Sequence, residues 1–273
     1  MNKKFELTPI TIEWEGKKLF RIKALKSFSD IKVGDLGGFI ESEDNLSQNG
    51  NSWIHDDAKV FENAKVYDDA EVFGNARVFG NAKVFENAKV YDDAEVFGNA
   101  RVFGNAKVFE NAKVYDDAEV FGNAKVCDNA NIKECGWVSD CSIVLDNVYV
   151  YGNSWVYGNA EIHDNTDICG NAEVYGDTKV YGDAEVCGNA EICNDARVCD
   201  DADYVCVRGL GSAYQNTTFF KCKNGDVGVV CGYFNGNLEE FAKKVKSIYG
   251  DSKYAKEYLA MVEVVKIHFE TME

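Results

Sequence analysis

Aliphatic and small residues recur along this chain with a period of six that holds for more than half its length. Ala or another short side chain stands at every sixth position from Ala58 to Ala202. Val or Ile follows two residues later from Val60 to Val198, and Tyr204 closes the series. These are 25 consecutive hexads, typified by Asn75-Ala76-Arg77-Val78-Phe79-Gly80. Side chains alternate across a strand, so an aliphatic residue at i and a small one at i+4 share an interior while their neighbours face out. The pattern predicts short strands and corners wound as a solenoid, each coil burying its Val and Ala against the next. Asn or Asp precedes the small residue in most units, as at Asn63, Asp69, Asn75 and Asn81. Both residues tolerate left-handed backbone, so the pattern assigns the corner to them.

The flanks follow other periods. Thr11-Ile12-Glu13-Trp14, the turn Glu15-Gly16 and Leu19-Phe20-Arg21-Ile22 predict a β-hairpin within residues 1–44 that caps the first coil of a solenoid at 45–206. Residues 207–273 read as a ββαα domain. Thr218–Cys222 and Val227–Cys231 flank Asn224-Gly225, a strong hairpin signal. Asn237 and Glu240 form a capping box for a helix with Leu238, Phe241, Ala242, Val245 and Ile248 on one face. Asp251-Ser252 opens a second helix with Tyr254, Tyr258, Met261, Val262, Val265 and Phe269 inward.

Units such as Val72-Phe73-Gly74-Asn75-Ala76 resemble the hexapeptide repeat of left-handed β-helices, the trimeric LpxA-like fold group. The resemblance covers roughly residues 45–206. It implies a mainly β fold: a single-stranded left-handed β-helix of about 8–9 coils, with three hexads per coil and a triangular cross-section. At about 4.8 Å per coil the prism is roughly 40 Å long. Aromatic residues after the aliphatic (Phe73, Phe79, Tyr91) resemble the YdcK-like and phage-encoded members more than the acyltransferases of the group, which have a small residue there. The C-terminal tail likewise resembles phage and prophage hexapeptide-repeat proteins. Caps at both ends would block end-to-end stacking.

Charge is distributed unevenly. The chain has 29 Lys+Arg and 46 Asp+Glu, net -17. Residues 57–126 hold 9 basic and 13 acidic residues (-4), residues 127–206 hold 3 and 16 (-13), and the flanks together are neutral. Such a surface repels nucleic acid and anionic membrane and attracts basic partners. Residues 68–91 recur unchanged at 92–115. A 24-residue unit is four hexads, so on a three-hexad coil each copy is rotated by one face and a face-specific site would be scrambled. That block reads as a spacer, and the diverged half is the place to look for function.

Residues 18 apart stack on one face of such a coil. Asp167, Glu185 and Asp203 then form an acidic ladder, with Asp183 and Asp201 beside it, and Trp137 and Trp155 stack outward as interface anchors. Cys187, Cys193 and Cys199 fall on three different faces and share no ion. Cys169 and Cys187 stack, but no third ligand is placed beside them, so no metal is expected. No cofactor motif is present. His55, His163 and His268 form no catalytic group, and the ten cysteines read as thiols in a reducing compartment. No leader or membrane span is visible, which reads as a cytoplasmic protein in a bacterial host.

The expected function is non-enzymatic protein interaction of phage or prophage type. The chain reads as an acidic decoy, a nucleic-acid mimic, that inhibits a host or defence protein with a basic surface and binds no nucleic acid itself. Two alternatives stay open: an acyltransferase-like trimer using His163 at an interface with an acyl-CoA or acyl-carrier donor, and a structural spacer rod. Oligomeric state is left open. Lys243, Lys244, Lys246, Lys253 and Lys256 make the C-terminal helices a basic surface for a second partner or for the chain's own acidic coils.

Overall fold

A computed structural model describes residues 3–270. It is mainly β: a parallel solenoid of about nine turns, an antiparallel sheet after it and two helices at the C-terminal end. Each hexad contributes a two-residue strand, as at Arg77–Val78, and strands 18 residues apart pair in parallel. Three flat sheets result. Face I contains Lys59, Arg77, Glu95, Lys113, Asn131, Tyr149, Asp167 and Glu185 at its outward positions. Face II runs from Trp53 through Glu71, Lys89, Lys107, Lys125, Ile143, Glu161 and Lys179 to Arg197. Face III runs from Lys65 through Lys83, Arg101, Glu119, Trp137, Trp155 and Glu173 to Glu191.

The aliphatic and small positions form one dry column inside the prism; Val78, Ala76, Val96 and Ala94 are all fully buried. Packing along the column is nearest-neighbour only, so each coil is stabilised by the two it touches. Val148 is the bulkiest residue in a small-residue slot, and Gly136, in the same slot two hexads earlier, carries no side chain. Backbone hydrogen bonds run from each coil to the next, for example Arg77 N to Ala94 O at 2.9 Å and Phe79 N to Val96 O at 3.0 Å.

The corners differ from expectation by one residue. The Asn or Asp before each small residue does not take the left-handed conformation. The residue before it does, and it is Gly, Asp, Glu or, at Asn194, Asn, as at Gly74 (φ 69°), Glu62 (φ 60°) and Asp68 (φ 59°). A corner acid uses its carboxylate to accept the backbone N–H of the corner one coil on: Gly80 N to Glu62 at 2.8 Å, Gly104 N to Glu86 at 2.9 Å, Gly152 N to Glu134 at 3.0 Å. That bond offsets the cost of a Cβ in left-handed backbone. The Asn residues instead form side-chain ladders. Asn63 donates to Asn81, Asn81 to Asn99 and Asn99 to Asp117, at 3.1, 3.0 and 2.9 Å. A ladder stops at Asp because a carboxylate accepts and cannot donate onward.

In the first half of the prism the aromatic residue after each aliphatic stacks on an aromatic neighbour one coil away. Phe61, Phe79, Phe97 and Tyr115 are spaced 5.0, 4.9 and 4.8 Å with rings within 4° of parallel. The N-terminal hairpin, Phe5–Trp14 with Lys17–Ala24, turns at Glu15-Gly16 and continues into Leu36–Ile40, which adds to face I in parallel with Lys59–Val60. Phe5, Ile22, Leu46 and Trp53 fill the open end of the column.

The C-terminal unit has two more strands than the ββαα expectation. Tyr204–Val207 and Phe234–Asn237 flank the expected hairpin, Thr217–Lys221 with Val227–Cys231. Helices α1 (Leu238–Tyr249) and α2 (Lys253–Glu270) pack on this sheet through Phe241, Val245, Tyr258, Val262 and Val265. Asn237 and Glu240 form the predicted capping box. Ile248, expected inward, is exposed.

Candidate functional site

In the diverged half five of the sixteen acids stand at outward strand positions, Glu161 on face II, Asp167 and Glu185 on face I, Glu173 and Glu191 on face III, and the others lie at corners or in the turn that leaves the prism. On face II, Glu161 is ion-paired with Lys179. Arg197, last on the same face, donates to the backbone carbonyl of Asp177 at 2.9 Å. Lys133 lies over the rings of Tyr149 and Tyr151 at 5.4 and 4.9 Å. No cation stands at an outward strand position of faces I and III from Trp137 onward, and their acids there have no basic neighbour of that kind.

Face III holds a continuous row of Trp137, Trp155, Glu173 and Glu191, each the strand partner of the next. The two indoles stack at 4.9 Å and 10°, and Phe121 meets Trp137 edge-on at 6.2 Å. With Ser139 and Tyr157 they line an apolar hollow of about 250 Å³. Trp155 is 43% exposed, high for the largest apolar side chain. Tyr157 donates its hydroxyl to Glu173 at 3.2 Å, and burial, then Glu173, push the phenol pKa up. Burial, then the neighbouring Glu173, push the Glu191 carboxyl above the usual range.

Glu173 and Glu191 were not singled out from the sequence, although the 18-residue spacing that paired Trp137 with Trp155 continues to both. The acids that were singled out lie elsewhere. Asp167 and Glu185 pair on face I, and burial raises the Asp167 pKa. Asp183, at a corner, is exposed and accepts from Asn165 at 3.0 Å. Asp201 accepts from the Glu185 backbone N at 2.8 Å.

Asp203 does not extend the ladder. The chain leaves the prism in a 3-10 turn at Asp201–Asp203, and Asp203 is only 3% exposed. It pairs with Lys221 Nζ at 2.7 Å and accepts from Cys199 N at 2.9 Å. Burial raises its pKa, but the bonds from Cys199 and Lys221 outweigh that and hold the carboxyl below its ordinary value. Asp203 is thus a latch between the last coil and the C-terminal sheet.

Cys187, Cys193 and Cys199 follow strands of faces I, III and II and are separate, as the spacing predicts. Two expectations about cysteine need correction. Cys169 and Cys187 form a disulfide, leaving eight free thiols. A third group also lies beside that pair, the carboxylate of Glu185.

His163 belongs to an aromatic row: it stacks on Tyr181 at 5.3 Å, and its Nδ1 lies 3.2 Å from Asp164. Lys243 and Lys253 pair with Glu239 and Glu257 of their own helices. Lys221 of the C-terminal sheet does ion-pair with an acid at the end of the prism, Asp203. Among the described residues no helix is long and apolar enough to cross a membrane. No protein-family model matches the chain, and no curated protein matches it.

Proposed function

We propose that this protein is a non-catalytic interaction protein whose second half mimics the charge of a nucleic acid and occupies a basic surface on another protein. The observation that carries the reading is linear charge density. Residues 127–206 have 16 acids and 3 bases, net -13. At 18 residues and about 4.8 Å per coil they span roughly 21 Å, or one negative charge per about 1.6 Å of axis. Duplex DNA carries one per about 1.7 Å. Many of these carboxylates are also held in place. Glu134, Asp140, Asp146 and Asp164 each accept a backbone N–H of the next coil, at 3.0, 3.1, 3.1 and 2.9 Å. These bonds fix the position of the carboxylates, so little ordering entropy remains to be lost on binding. Trp137 and Trp155 supply the apolar anchor that a purely electrostatic contact lacks.

The left-handed hexapeptide-repeat identity of the coils and a bacterial host or defence protein as partner belong to the same proposal. They are supported by the likeness of the hexads to phage-type repeat proteins. The block 68–115 favours a spacer role for its own segment. Glu71 pairs with Lys89 on face II at 2.8 Å, and the same residues one copy later, Glu95 and Lys113, pair on face I at 3.5 Å. Identical contacts on different faces serve prism length, not recognition.

The test is charge reversal at Asp183, Glu185 and Asp201 together. Partner binding should be lost while the circular dichroism spectrum stays that of the wild type. A triple variant that binds unchanged ends the reading.

A further inference from the structure

The last two coils of face I carry two cysteines that the interaction reading leaves unused, beside Glu185, which it uses. Cys169 and Cys187 occupy the same slot in successive coils, with Cα atoms 4.5 Å apart. Glu185 reaches into the same space, its Oε1 4.0 Å from Cys169 Sγ, and both sulfurs and the carboxylate lie within 4.8 Å of one another. The backbone around them is pinned. Tyr204 accepts from Cys187 N at 3.3 Å and donates its hydroxyl to Glu185 O at 3.0 Å. Asp201 accepts from Glu185 N at 2.8 Å. Asp167, the strand partner of Glu185, adds negative charge one coil away.

We propose that the reduced protein binds one thiophilic divalent cation, with Zn²⁺ as the type, through Cys169, Cys187 and Glu185, and that the disulfide is the closed form of the same site. Two thiolates and a carboxylate are donors that Zn²⁺ takes in tetrahedral geometry, with water as the fourth ligand. Zn–S bonds of about 2.3 Å place two tetrahedral sulfurs about 3.8 Å apart. Side chains rising from rungs about 4.8 Å apart reach that separation by rotation about χ1. The disulfide offers no thiolate, so oxidation and metal binding exclude one another. Reduction by a dithiol breaks the Cys169–Cys187 bond and forms an S–S bond within the reductant, and two electrons and two protons pass to the cysteines. The cation then displaces both thiol protons.

Two other clusters are weaker in donors. Glu110, Cys127 and Asp128 include one thiol, pushed up to about 12 by burial and by Asp128. Asp146, His163 and Asp164 include none.

The experiment is a Co²⁺ titration of the full chain, reduced and desalted without oxygen. A thiolate-to-cobalt charge-transfer band in the near ultraviolet should saturate at one ion per chain and disappear on adding Zn²⁺. Cys169→Ser and Cys187→Ser should each abolish it. Glu185→Gln should weaken binding on the order of tenfold or more, and Cys135→Ser and Cys141→Ser should retain it. The wild-type chain supplies a comparison that no folding defect can confuse: the disulfide form gives no band, and adding a dithiol restores it. Absence of the band in reduced wild type, or its survival in Cys169→Ser, overturns the assignment.

Discussion

The two halves of the prism share one cross-section and differ in almost everything outside it. In residues 57–126 the aromatic rows are unbroken, and opposite charges pair between coils, as in Glu71–Lys89 and Arg101–Glu119 at 2.8 Å each. In residues 127–206 the same rows are interrupted by Cys127, Lys133, Ser139 and Leu145, and 16 acids stand against 3 bases. The core column continues through both, with Val96 and Val186 equally buried. An interior of Val and Ala specifies the coil and leaves the exterior free to vary. The first half spends that freedom on pairing and stacking, which stabilise any coil. Like charges on neighbouring rungs, which cost roughly 1 kcal/mol per pair in water, occur in both halves, as at Lys89 and Lys107 and at Glu173 and Glu191, but the first half nearly balances its charge while the second carries a net -13. A surface that opposes its own folding is the better candidate for selection by a partner.

The largest effect that separates the halves should come from charge reversal. Asp183→Lys, Glu185→Lys and Asp201→Lys together should weaken partner binding by about a hundredfold or more. Asp69→Lys, Asp92→Lys and Asp93→Lys in the spacer should leave it within twofold. Equal losses from both sets would remove the distinction between the halves.

The latch that ends the acidic half comes next. Asp203→Ala leaves Lys221 and Cys199 N without their acceptor and should destabilise docking of the C-terminal unit by about 2 kcal/mol. Because the folded pKa of Asp203 lies below its ordinary value, the carboxylate contributes stability above about pH 4, and that contribution is lost as pH falls through the folded value. Thermal unfolding from pH 7 downward should show this acid loss in the wild type and not in Asp203→Asn.

One core slot sharpens the contrast further. Ala112→Val overpacks a regular coil, and Val148→Ala empties an adapted one. Each should cost about 1–2 kcal/mol in chemical denaturation, although the two substitutions are opposite. The smallest effect is expected at an exposed pair of the first half, where Lys89→Ala should cost no more than about 0.5 kcal/mol.

The period of six carried the prism, because one side chain in each pair must be buried and a slip would expose it; three hexads per coil, and with them the three faces and the 18-residue register, came from the resemblance to left-handed β-helices. Corner geometry was misread by one residue. A left-handed Glu runs against residue preference, and the carboxylate-to-N–H bond that supports it spans coils, invisible to a local pattern. Tyr204–Val207 and Phe234–Asn237 were missed because neither shows alternation; each is a strand only because the hairpin between them offers its edges. Asp203 was placed on a ladder by extending the register past the point where the turn at Asp201–Asp203 breaks it. Glu173 and Glu191 were legible, since the register continues from Trp155. The approach of Glu185 to Cys169 was not, because a strand residue and a corner residue of different coils meet only through side-chain reach.

The most direct measurement is a pull-down from bacterial lysate with the wild-type chain at low salt, followed by elution with duplex DNA. The account predicts that nucleic-acid-handling proteins bind, that duplex DNA and high salt both release them, and that the triple reversal variant retains none. Proteins that stay bound against excess duplex DNA, or that bind the reversal variant equally, would contradict it.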